Sequence, residues 1–251
     1  MLNRRSTLSL LPATLMVGAP HGAAAQSSPP THDVLELLRP EDDPTFGPLI
    51  SGQSNIGGAV VGVGPSRHEE IQQAFRILLD APRGAPLLSV VRYFEQIAKT
   101  NEDGEKFNAE WKSRSNPLIT GMFGVTGTSP SSGDQTSWCA AFVSTCLYIA
   151  LLPNEYTALS GGYRNFGSDA ISDPKEGDIA VFSKFGPEGT KGFGHVGFFL
   201  RNESRNGKDG IIVLGGNQRG STGTTGAVTE AWFASESEEL YLHGIRRIPG
   251  V

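Results

Sequence analysis

Cysteine is scarce: Cys139 and Cys146 are the two in 251 residues. On one helix, seven residues at ~1.5 Å rise put them ~10 Å apart. A disulfide needs Cα atoms within roughly 7 Å, so a bridge between them is excluded. No Cys/His cluster has zinc spacing either. Basic runs are also missing. Lys and Arg number 21 against 26 Asp and Glu, a formal net charge of -5. That balance argues against a phosphate backbone, and so against nucleic acid, as partner. No apolar run reaches the ~20 residues that span a bilayer.

With 38% hydrophobic and 19% charged residues, the composition suits one soluble domain plus attachments. Residues 1–25 read as a signal peptide. Asn3-Arg-Arg5 is a charged start, Leu8 to Val17 a short apolar stretch holding Pro12, and Ala23-Ala24-Ala25 a cleavage site. The paired arginines allow a twin-arginine export route, with ordinary Sec export open. The expected location is therefore periplasmic or extracellular. Residues 26–65 are rich in Ser, Pro, Gly and Asp and read as a linker or N-terminal extension. Residues 66–251 form the expected folded domain, with a core of about 88–248.

Ser66 and Glu69 have capping-box spacing, and Ile71, Ala74, Phe75, Leu78 and Leu79 follow on one helical stripe. His68 falls in that first turn as a surface residue. Leu87 to Lys99 predicts a second helix, and Phe107 to Ser115 a third short one. A long apolar helix is expected from Cys139 to about Leu151. The period then changes. Ile179–Phe182, His195–Leu200, Ile211–Leu214 and Leu240–Ile248 read as strands. Helices followed by strands predict an α+β fold, with an antiparallel sheet packed on the cysteine helix.

Chemistry concentrates in Thr136-Ser-Trp-Cys-Ala-Ala-Phe-Val143. Asp134, Thr136 and Ser137 are candidate N-caps, so Cys139 is expected at a helix start. Free N–H groups and the positive end of the helix dipole there favour a thiolate nucleophile. Cys146, deep in the apolar run, reads as core. His195, at the start of a strand, is the candidate base. An imidazole needs an orienting acceptor on its other nitrogen. Asn217 ends the next strand and suits that role. Gln218 would point the other way if alternation continues, and Asp178 is a charged alternative. Gln135 could donate to an oxyanion, and Trp138 could pack under the site or line a groove.

Four stretches then carry a resemblance: Trp138-Cys-Ala-Ala-Phe-Val143, Lys175-Glu-Gly-Asp-Ile-Ala-Val-Phe182, Gly194-His-Val-Gly-Phe-Phe199 and Leu214-Gly-Gly-Asn-Gln218. Together they resemble the NlpC-like and CHAP-like branch of papain-fold cell-wall hydrolases. The resemblance implies a papain-like fold, Cys139 as nucleophile, His195 as base and acid, and Asn217 as third member. It implies amide hydrolysis through an acyl-enzyme, on peptidoglycan stem peptides or the sugar–peptide link, with no metal or other cofactor. Two alternatives stay open: a papain-fold hydrolase or acyltransferase on another amide, and a non-catalytic wall-binding protein.

Overall fold

The computed structural model describes residues 66–184, 186, 192–219, 225–237 and 239–250. The expected signal peptide and linker lie outside them.

Helix α1 (His68–Leu79) begins one residue later than the Ser66/Glu69 spacing predicts. Arg67 is its N-cap, and the Arg67 N–H donates to Glu70 Oε2 at 2.8 Å. Glu70 is buried because it also accepts from the guanidinium of Arg114, which pairs with Asp103 as well. Helix α2 (Leu87–Glu95) buries Leu87, Val90, Val91 and Phe94. It stops at Glu95, short of Lys99, and the Glu95 carbonyl accepts from the Asn108 side-chain amide at 2.7 Å.

The helix expected over Phe107–Ser115 does not form. Phe107 and Trp111 mimic a helical stripe at spacing four, but they pack edge to face, 5.0 Å apart, in an irregular segment. Helix α3 (Pro117–Met122) follows. Asn116 caps it by accepting from Leu118 N–H at 2.9 Å, and Pro117 takes the first turn, where a missing N–H costs nothing.

A short strand β1 (Ser131–Asp134) leads to helix α4 (Cys139–Ile149), in which every residue except Tyr148 is buried. This explains why its sequence shows no polar face. Phe142 is its central anchor, set edge-on to Phe94, Trp138 and Phe198 at 6.0–6.4 Å. Each such pair contributes about 1 kcal/mol beyond area burial.

The remaining strands are β2 (Ser168–Asp169), β3 (Ile179–Lys184), β4 (Gly194–Asn202), β5 (Gly210–Gln218), β6 (Ala227–Ala234) and β7 (Leu240–Arg247). Among the described residues these six form one antiparallel sheet in the order β2-β7-β3-β4-β5-β6. The fold is thus α+β with an antiparallel sheet, and α4 packs on β4 and β5.

Alternation gives the sheet two apolar faces. Val181, Val196, Phe198, Ile212 and Leu214 share a core with α2 and α4. Ala180, Phe182, Phe199, Ile211, Val213 and Ile245 form a second core on the other face, with Phe233, Leu240 and Leu242. No described helix covers that second face. Instead the end of β6 meets β7 again: Leu242 N–H donates to Ser235 O at 2.8 Å, and Glu236 bridges Tyr241. The sheet curls, and its concave side becomes an interior of its own.

Candidate active site

Trp138 is the N-cap of α4, and no side chain caps the helix. Two of the expected caps have other duties. The Asp134 carboxylate accepts from the N–H groups of Trp111 and Asn116, both at 2.9 Å, and Thr136 Oγ1 accepts from Ser132 N–H. The first N–H groups of α4 are therefore left for the Cys139 sulfur. Burial pushes the thiol pKa up, and the N–H groups of Val196, Ala140 and Cys139 itself pull it down. Burial wins. The resting group is a thiol, not the thiolate that a helix start alone would predict, because Cys139 is 4% exposed.

The Val196 N–H that faces the sulfur belongs to the peptide linking Val196 to His195. The thiol thus abuts the backbone that carries the candidate base. A gap in the sheet lets it in: β4 and β5 stay paired through Phe198 and Leu214, and β5 then bulges before Gln218. At this level β5 is Gly215-Gly216. A Cβ on Gly216 would stand 2.7 Å from both Phe142 Cβ and Trp138 Cε3. Only a glycine lets the first turn of α4 come this close.

His195 sits opposite Phe182 in the β3–β4 register, so its ring enters the concave core. It stacks on Phe233 with centroids 5.0 Å apart and lies beside Phe182. Burial lowers its pKa to about 4, so it is neutral at pH 7. Its hydrogen-bond partner is the buried side chain of Gln218, 3.0 Å from Nε2. The surrounding network fixes the amide orientation. Gln218 Oε1 accepts from His195 Nε2 at 3.0 Å and from Gly215 N–H at 3.2 Å. Its nitrogen donates to the carbonyls of Thr229 (2.8 Å) and Val213 (3.0 Å). The imidazole proton is thereby assigned to Nε2, and Nδ1 is left basic. Among the described residues no hydrogen bond joins the ring to the Cys139 sulfur.

The structure brings Gln218 to the imidazole and turns Asn217 away. The four β5 residues from Gly215 to Gln218 oppose three on β6, so the bulge adds one residue and reverses the alternation. Asn217 is the bulge residue, at φ 57°, a left-handed conformation that Asn tolerates. Its side chain points toward Gly226 and Glu110.

Asp178 is occupied elsewhere, accepting from Lys175 N–H at 2.8 Å and pairing with Arg247 at 3.0 Å. Gln135 is exposed, with its amide directed at Asp134 Oδ1, 3.4 Å away. Trp138 is fully buried and donates from Nε1 to Glu110 Oε1 at 3.2 Å. His68 is exposed beside Gln72. Cys146 is buried, its pKa raised by burial with no N–H to offset it. Glu110 escaped the sequence reading because its partners are distant in the chain.

The arrangement offers a thiol at a helix start and a neutral imidazole with one nitrogen anchored and one basic. Among the described residues no three His, Cys, Asp or Glu side chains cluster as metal donors, and no helix is long and apolar enough to cross a membrane. No family model, curated protein or solved structure matches the chain.

Proposed function

We propose that this protein is an exported cysteine hydrolase of papain-like fold that cleaves amide bonds of peptidoglycan. One observation carries the reading: the Cys139 sulfur faces the peptide bearing His195, whose Nε2–H is fixed by Gln218. Nucleophile, base and orienting acceptor are the three parts that thiol acyl transfer needs. The wall substrate, an endopeptidase or N-acetylmuramoyl-L-alanine amidase target, comes from the resemblance of the four motifs.

In this reading the His195 ring, which makes no hydrogen bond to the sulfur at rest, comes within its reach on substrate binding, and Cys139 Sγ attacks the scissile carbonyl as its proton passes to His195 Nδ1. That proton goes to the leaving amine as the C–N bond breaks, leaving a thioester. Water, deprotonated by the same imidazole, then hydrolyses the thioester and frees the thiol. Both groups start neutral, so the proton moves during attack and not beforehand. The N–H groups of Cys139 and Ala140 are the nearest donors for the oxyanion. Gln218 takes the orienting role that alternation would give Asn217. Cys139 and His195 are 4% and 7% exposed, so substrate reaches them only when covering side chains move.

The test is mass spectrometry of purified peptidoglycan digested with residues 26–251, beside a Cys139→Ala control. Cysteine-dependent fragments are expected, and their masses separate sugar–peptide from peptide–peptide cleavage. Fragments that persist in the control would end the thiol mechanism. No fragments from either protein would defeat the wall substrate.

A further inference from the structure

The segment from Phe107 to Asn116 runs without regular structure between α2 and α3, and Asp134 and Glu110 are two of the carboxylates that hold it. Asp134, just before the α4 approach, accepts from Trp111 and Asn116 N–H. Glu110 works in the opposite direction. Its Oε1 accepts from the Trp138 indole at 3.2 Å, and its Oε2 from Gly226 N–H at 2.8 Å. Its own N–H donates to Gly226 O at 2.8 Å, and Val228 N–H donates to Asn108 O at 2.8 Å.

Both ends of this clamp matter. Trp138 immediately precedes Cys139, and its ring rests against Gly216. Gly226 immediately precedes Ala227, the register partner of Gln218. One carboxylate therefore ties the residue before the thiol to the strand beside the amide that holds the imidazole. A side chain at Gly226 would run into that carboxylate and into Asn217 Oδ1, so the close approach is built into the sequence.

We propose that Glu110 is a positioning residue: it sets the separation between Cys139 and the His195–Gln218 pair while touching neither. The role rests on the hydrolase reading, so the first arm of its test uses no turnover.

The first arm measures iodoacetamide alkylation of Cys139 against Cys146 by peptide mass spectrometry in wild type, Glu110→Ala and Glu110→Gln. Losing the clamp loosens the first turn of α4, so Glu110→Ala should raise the Cys139/Cys146 ratio by about tenfold or more. Glu110→Gln keeps one acceptor oxygen and so holds one of the two donors, and its ratio should fall between wild type and Glu110→Ala. An unchanged ratio in Glu110→Ala overturns the proposal.

The second arm measures turnover of wall fragments. Glu110→Ala should lower kcat roughly 100-fold with KM nearly constant, the cost of about 1 Å of misplacement. Glu110→Gln, which keeps one of the two bonds, should lose less. A rise in KM alone, or equal losses in both variants, overturns the proposal. If Glu110→Ala does not fold, Gly226→Ala, which presses on the same carboxylate, takes its place. A wild type without cysteine-dependent turnover counts against the hydrolase reading, and the first arm still decides the role of Glu110.

Discussion

Replacing Gln218 with leucine separates the two candidates for the orienting residue. Leucine nearly fills the same buried volume, so the cavity term is small. What changes is polar satisfaction. The His195 Nε2–H and the Gly215 N–H lose their acceptor, while the Thr229 and Val213 carbonyls lose a donor. Each stranded buried donor costs about 1–3 kcal/mol, so two cost roughly 4 kcal/mol. The carbonyls add less, since each oxygen has a second lone pair. Urea unfolding at pH 7 should show a lower midpoint with an unchanged slope. Catalysis should suffer more than binding. A ring free to flip presents its basic nitrogen to the sulfur only part of the time, so kcat should fall by about 100-fold or more while KM holds. Asn217→Ala is the counterpart. It leaves the imidazole bond intact and places alanine at φ 57°, which costs roughly 1–2 kcal/mol. Its kcat should stay within a few-fold of wild type. Folded variants in which Asn217→Ala loses more rate than Gln218→Leu would refute the argument.

Other expectations follow from burial and packing. His195 is neutral down to about pH 4, so the acid limb of kcat/KM should lie near pH 4; a limb near 6.5 would mean a solvated ring. The same depression makes stability rise between pH 4 and the unfolded value of 6.5, by roughly 3 kcal/mol in all. Asp134, raised by burial to about 6 from 3.8, opposes it, losing roughly 3 kcal/mol as pH rises through that window. Asp134→Asn should therefore steepen the acid loss of stability seen in urea midpoints; a pH dependence like that of wild type would contradict the raised Asp134 pKa. Gly216→Ala should cost roughly 1–3 kcal/mol by overpacking Trp138 and Phe142 and should abolish turnover. Gly124→Ala, with nothing within 4 Å of its Cβ position, should be close to neutral in a thermal melt. Cys146→Ala should cost roughly 1 kcal/mol and spare turnover; lost activity in a folded protein would contradict its assignment to the core.

The elements that were legible in the sequence are those with a clean period. The apolar run after Cys139 predicted α4 to within two residues of its end, and alternation located β3, β4, β5 and β7. Strand β6 was missed because Thr229, Glu230 and Ala231 interrupt its pattern, and most of it is only half buried. The segment 107–116 misled because Phe107 and Trp111 keep helical spacing, while its true constraint, Asp134, lies more than twenty residues away. The third site residue shows the same limit. Strict alternation gives Asn217 the face of His195, and one bulge hands that face to Gln218. Gly215-Gly216-Asn217 inside a strand was the available signal, since paired glycines and a left-handed Asn mark bulges. The capping pattern says nothing about how deeply the sulfur lies, and it is burial that raises the thiol pKa.

The most direct test is to quench the protein in acid during incubation with peptidoglycan and map the adduct by mass spectrometry. An acyl group is expected on Cys139 as a thioester, absent in Cys139→Ala and also in His195→Ala, where no base takes the thiol proton. Wall fragments appearing with no adduct on Cys139, or with one on another residue, would contradict the account.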